Sequence, residues 1–98
     1  MHLFPTAHFR QRCAERLPGV DPVKFAEGVS WAIRNGRHDL IRFKCRLDRF
    51  GRRAFEFDWD GKTYVIVINS HANTLITILD ETMDYKPHGT VYRKPVKR

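Results

Sequence analysis

Residues 7–17 read AHFRQRCAERL, and within them His8, Arg12 and Arg16 recur at every fourth position. On a helix these three span about 80° of arc at the usual ~100° per residue. Phe9, Cys13 and Leu17 repeat with the same spacing one place along, so a basic stripe borders an apolar one. Side chains at such a border line the seam where a helix meets the layer beneath it. A histidine titrates near neutrality and can give or take a proton. A neighbouring guanidinium can hold a phosphate through two hydrogen bonds. Together they offer the minimum chemistry for metal-free RNA cleavage. The imidazole helps activate a 2′-hydroxyl or protonates the leaving oxygen, and the arginines stabilise charge on the phosphorane. The same trio would also suit the solvated edge of an ordinary surface helix. Its surroundings must decide.

Two helices and a set of strands have to position these residues. The first helix is expected to begin at Thr6, a good N-cap after Pro5, and to stop before Pro18-Gly19. The second has Asp21 as N-cap, Pro22 at its first position and Gly36 just past its end. Phe25, Ala26, Val29, Ala32 and Ile33 gather on one face of it. Trp31 falls off that face and is expected to pack on the first helix, the other option being an exposed aromatic. From Asp39 the period changes to alternation. In DLIRFKCRL, Ile41, Phe43, Cys45 and Leu47 point one way, and Leu40, Arg42, Lys44 and Arg46 the other. RRAFEFDW is a second amphipathic strand, followed by a tight Asp60-Gly61 turn. TYVIVIN is apolar on both faces and should be central, and TLITIL closes the series. The expected fold class is α+β, with two N-terminal helices on a four-stranded antiparallel meander. Residues 1–85 would form the single domain and 86–98 a basic C-terminal arm.

The formal charge is +7, but it is unevenly spread. Residues 34–53 carry eight basic and two acidic side chains, residues 54–85 one and six, and residues 86–98 five and none. Some of this imbalance should cancel between neighbouring strands. If the first two long strands pair about a turn near Arg49, Arg42 lies opposite Glu56 with Asp58 close by. An excess near that turn survives, from Arg46, Arg49, Arg52 and Arg53. Polyanion binding is the natural use for it. Cys13 and Cys45 both fall on apolar stripes and read as buried free thiols. No CxxC or His/Cys cluster suggests a metal. The longest apolar run is too short to span a bilayer, and the N-terminal residues lack a signal-peptide layout, so a cytoplasmic location is expected. Of the remaining histidines, His71 lies in the turn before the last strand, within reach of that sheet end, although a solvated turn residue is the plainer reading. His38 suits a cap contact.

The order is a short helix with H-x-x-x-R-x-x-x-R, a second capped helix ending at Asn35-Gly36, then strands closing on TLITIL. Over about residues 6–80 this resembles small bacterial domains with an N-terminal HxxxR helix. These are placed with the barnase-like, EndoU-like, colicin-type and RelE-type ribonucleases. The resemblance implies helices followed by a four-stranded antiparallel sheet. It also implies metal-independent endoribonuclease activity, without a cofactor, of the kind found in toxins of toxin–antitoxin or competition systems. His8 and Arg12 carry over from the motif, with Arg16 as an extension. Thr77 matches a polar position on the last strand, though a β-branched residue in a strand needs no such role. RelE-type enzymes supply a basic, tyrosine-rich set late in the chain. Tyr85, Tyr92, Arg93 and Lys94 are present here without matching spacing, and fold similarity alone does not make an enzyme.

Three functional readings follow. In the first, His8, Arg12, Arg16 and Thr77 act at an RNA phosphodiester, and an antitoxin is the implied protein partner. Lys44, Arg46, Arg49, Arg52, Arg53, Arg93 and Lys94 guide the backbone, while Trp31 stacks on a base. In the second, a non-catalytic module of phage or plasmid type docks on nucleic acid or a host protein through its charged surface. In the third, charge serves solubility alone. Nothing in the sequence fixes the oligomeric state.

Overall fold

Both helices start on hydrogen-bonding side chains that hold otherwise orphaned N–H groups. In the computed structural model, which describes residues 2–79, Thr6 Oγ1 accepts the Phe9 N–H at 3.0 Å and opens α1 (Ala7–Arg16). Leu17 N–H donates back to the Cys13 carbonyl at 2.8 Å and closes it. Asp21 Oδ1 accepts the Val23 N–H at 2.8 Å, Pro22 takes the first position, and α2 (Pro22–Arg34) runs to Asn35. Phe25, Ala26, Val29 and Ala32 are buried and Ile33 half-buried. Trp31 does not pack on α1. It is 43% exposed, with the Arg37 guanidinium 5.2 Å from its ring centroid. It sits outside the apolar arc of α2 and borders a surface hollow with His2, Glu27 and Arg34.

Five strands follow the alternation or precede it: β1 (Phe4–Pro5), β2 (Ile41–Arg46), β3 (Arg52–Trp59), β4 (Lys62–Asn69) and β5 (Thr74–Leu79). The sheet order is β1-β5-β4-β3-β2. Neighbours among β2 to β5 are antiparallel, whereas β1 runs parallel to β5. The expected four-stranded antiparallel sheet is therefore a five-stranded mixed sheet in an α+β fold. Two residues cannot display an alternating pattern, and Pro5 looks like a helix-start signal. What makes β1 a strand is non-local: Phe4 N–H donates to Asn73 O and Thr6 N–H to Leu75 O, each at 3.0 Å. Pro5 lacks an N–H, which an edge strand tolerates. The chain beyond Leu79, including the expected basic arm, Arg93 and Lys94, lies outside the described residues.

Asp60 and Gly61 both have positive φ, +50° and +79°, as a two-residue hairpin turn of the expected kind demands. β4 lies in the middle of the sheet with Ile66, Val67 and Ile68 buried. Phe25 of α2 meets Phe57, Trp59 and Tyr64 from β3 and β4, so one face of the sheet carries the helices. The alternation of β2 does not hold to its end. A bulge between Phe43 and Cys45 opposes Phe43 to Phe55 but Cys45 to Ala54. One extra residue reverses the facing of all that follow. Cys45 thus shares a face with Ala54 and is only half-buried, while Phe43 is 55% exposed. Cys13 is fully buried, and burial pushes its thiol pKa up. Among the described residues no helix is long and apolar enough to cross a membrane.

Ser30 ties β1 to α2. Fully buried, its Oγ accepts the Leu3 N–H at 3.0 Å and donates to the Ala26 carbonyl at 2.8 Å. Replacing Ser30 with alanine leaves the Leu3 N–H buried and unpaired, at a cost of about 1–3 kcal/mol. Urea unfolding should show that loss, with faster amide exchange at residues 3–6. Unchanged exchange there would contradict the role.

Candidate nucleic-acid interface

Among the described residues, cations without acidic partners gather where the β2–β3 turn meets the β4–β5 turn. Asp48 builds the first turn. Its Oδ1 accepts N–H groups from Phe50 at 2.8 Å and Arg52 at 3.2 Å, and its Oδ2 takes the Arg52 Nε–H at 2.6 Å. Gly51 follows with φ +99°; a Cβ there would lie 2.7 Å from the His71 ring and 2.9 Å from Asn69 Oδ1. Glycine is therefore required twice over, by conformation and by space. Its carbonyl accepts the Ser70 N–H at 2.9 Å, which locks the two turns together. Asn69 Oδ1 organises the second turn by accepting the N–H groups of His71 and Ala72 at 2.9 and 3.1 Å.

Onto this platform come Arg46, Arg49 and Arg53. Arg46 and Arg53 are register partners, and opposite positions in an antiparallel pair share a face. Like charges placed so are destabilising unless something negative joins them. Arg53 Nη1 donates to Ser70 Oγ, and the Arg49 guanidinium lies 5.2 Å from the centroid of Phe50, which is 62% exposed. Among the described residues none of the three arginines is joined to a carboxylate. His71 is exposed beside them. The corner thus offers guanidiniums for phosphate oxygens and an aromatic face for a base.

The other basic residues of this region are already engaged. Arg52 is held by Asp48. Arg42 donates to Glu56 at 3.2 Å and to Asp58 at 2.7 Å, and Lys44 Nζ lies 3.4 Å from Glu56. The cross-strand pairing of Arg42 with Glu56 follows the expected register. Hydrogen bonds from Arg42 and from Thr63 (2.7 Å) hold the Asp58 carboxyl pKa below its ordinary value. A depressed folded-state pKa contributes stability above the unfolded value of about 3.9, lost as pH falls through the folded one. Melting temperature should therefore decline on acidification below about pH 4, and more steeply than in Asp58→Asn. Parallel curves for the two proteins would remove Asp58 from that role.

The helical trio is arranged differently. Phe9, Cys13 and Leu17 are buried, so the apolar stripe of α1 faces inward. His8 on the neighbouring stripe is exposed and makes no hydrogen bond or ion pair among the described residues. Arg12 Nη1 binds Glu15 at 2.9 Å, and this hydrogen bond lowers the Glu15 pKa. Arg16 lines a hollow of 590 Å³ with Lys62, Thr63, Tyr64, Val65, Ile78 and Leu79. His8 is not in that lining. Thr77 pairs with Val67 and Val67 with Ala54, which places it on the sheet face away from Phe25. No hydrogen bond joins it to α1. Trp31 lies near Arg37, before β2, whereas Arg49 follows it. A six-residue strand, roughly 17 Å, separates them.

The structure therefore gathers Arg46, Arg49, Arg52 and Arg53, and sets His8, Thr77 and Trp31 apart from them. It adds Phe50, Ser70 and His71. Phe50 was detectable in RFGRR as an aromatic among cations in a turn. Ser70 carried no signal, because its role depends on two turns meeting. Comparison with family models, with curated proteins and with solved structures returns no match for this chain. The chemistry rests on these residues alone.

Proposed function

We propose that the chain binds RNA or another single-stranded nucleic acid through the corner formed by Arg46, Arg49, Phe50, Arg53 and His71. The observation that carries this reading is the register pair Arg46 and Arg53, two arginines at facing backbone positions with no carboxylate partner among the described residues. Such a pair costs the free fold a few tenths of a kcal/mol and is relieved by a phosphate. Phe50 stacks on an unpaired base beside the bound phosphate.

The test is fluorescence anisotropy with a labelled single-stranded RNA across a salt series. Affinity should fall linearly on a log–log scale, with a slope near 2 for three phosphate contacts at about 0.7 each. Affinity independent of salt would refute the reading.

A second reading keeps the ribonuclease chemistry, and one observation favours it. His8, Arg12 and Arg16 occupy one stripe of α1, and Arg16 borders the 590 Å³ hollow. On this reading the chain cleaves RNA without a metal, as toxin-type endoribonucleases do. Its protein partner would be an antitoxin or a host protein. Total RNA incubated in EDTA with wild type should be degraded, and His8→Ala should lower the rate by at least 100-fold. Intact RNA with the wild type, or equal cleavage by both proteins, would leave binding as the whole activity.

A further inference from the structure

The chain holds three asparagines, Asn35, Asn69 and Asn73, and the fold treats them differently. An asparagine side chain can be attacked at Cγ by the main-chain nitrogen of the residue that follows. The reaction needs little bulk on that residue and a local backbone free to rotate. In the β4–β5 turn both reactants are held. Asn69 Oδ1 accepts two N–H groups, and the Ser70 N–H that would have to attack donates to the Gly51 carbonyl at 2.9 Å. Asn73 precedes Thr74, the first residue of β5, and its carbonyl accepts the Phe4 N–H. A β-branched side chain at Thr74 crowds the nitrogen.

Asn35 is placed otherwise. It caps the C-terminal end of α2, is exposed, and precedes Gly36, which has no side chain to obstruct ring closure. Gly36 is exposed too, at φ +59°, with nothing within 4 Å of the position a Cβ would take. Three hydrogen bonds keep the two groups in place. Asn35 Nδ2 donates to the Trp31 carbonyl at 2.8 Å, Gly36 N–H to Ile33 O at 3.2 Å and Arg37 N–H to Ala32 O at 3.0 Å. All three close the last turn of a helix, and such ends open at far lower cost than the core. One opening releases both the amide and the nitrogen that attacks it.

We propose that Asn35 is a site of spontaneous deamidation. The Gly36 nitrogen gives its proton to hydroxide and bonds to Asn35 Cγ, and ammonia leaves with a proton taken from water. Water then opens the five-membered imide at either carbonyl, giving aspartate or isoaspartate. Both products put a carboxylate at the negative end of the α2 dipole, and isoaspartate also lengthens the main chain by one carbon. The cap that brings Arg37 over Trp31 is thereby loosened. This site is separate from the turn corner, so the proposal does not depend on nucleic-acid binding.

The test holds the full chain warm at mildly alkaline pH for days and then cleaves it after lysine. The fragment of residues 25–44 has Asn35 as its one asparagine. It should convert from amide to acid at least tenfold faster than the fragment carrying Asn69 and Asn73. The rate should rise in proportion to hydroxide, and isoaspartate, detected with an isoaspartyl methyltransferase, should accompany aspartate. Gly36→Ala strains the cap but crowds the nitrogen with a methyl group, so it should slow conversion at least tenfold. Faster conversion in that variant would mean that cap opening alone matters, and would overturn the role of Gly36. An Asn35 that keeps its amide in the folded chain overturns the proposal. So does equal conversion of Asn69 or Asn73, or aspartate without isoaspartate, which marks direct hydrolysis.

Discussion

Replacing Arg46, Arg49 and Arg53 together by glutamine should weaken binding of single-stranded RNA about a hundredfold at 0.1 M salt. Each lost phosphate contact removes about 0.7 from the log–log salt slope, so the slope should fall by about 2 and approach zero. The effect on the fold should have a different size. The triple variant loses the Arg53–Ser70 hydrogen bond but also the repulsion between Arg46 and Arg53. These are opposing terms of a few tenths to about 1 kcal/mol. Stability should therefore change by less than about 1 kcal/mol while affinity collapses. Arg53→Lys keeps the charge and loses the fork, so it should keep the salt slope and lose affinity. Undiminished RNA binding by the triple variant would refute the corner as the interface.

The largest stability loss should come from Phe25→Ala. Phe25 is fully buried and touches four rings: Phe9 of α1 at 5.6 Å between centroids, Phe57 at 5.3 Å, Trp59 at 5.0 Å and Tyr64 at 6.4 Å. It joins both helices to the centre of the sheet. Truncation removes the transferred apolar surface and leaves a cavity that four stiff rings cannot close, costing about 3–5 kcal/mol. A domain of this size has a total stability near the lower end of the usual ~5–15 kcal/mol. The melting temperature should drop by roughly 15 °C or more. Phe25→Leu should recover more than half of the loss, and a melting temperature within a few degrees of wild type would contradict the packing described. The corner stands on turns of the sheet, so any Phe25→Ala that remains folded should still bind RNA.

Caps and alternation made much of the fold legible. Thr6, Asp21, Pro22 and Gly36 act within a few residues of themselves, and their helix boundaries are where local chemistry puts them. The Asp60-Gly61 turn, the central place of β4 and the Arg42–Glu56 pairing also follow from short-range pattern plus one hairpin register. The pattern failed where the cause was non-local. β1 exists because Asn73 and Leu75 offer carbonyls to a segment some seventy residues away in the chain. The facing of Cys45 reversed because a bulge inserts one residue, which alternation cannot announce.

For the site, the sequence determined the surplus of arginine near the β2–β3 turn and the shared stripe of His8, Arg12 and Arg16. Periodicity and composition are properties of the chain itself. Only the tertiary structure decided which cations keep a carboxylate and which do not. Arg42, Lys44 and Arg52 find Glu56, Asp58 or Asp48, whereas Arg46 and Arg53 face each other. It also carried the β4–β5 turn, with Ser70 and His71, against Gly51. The physical reason is distance: pairing energies depend on separations of a few ångströms, and those are set by strand register and turn contact rather than by neighbours in sequence.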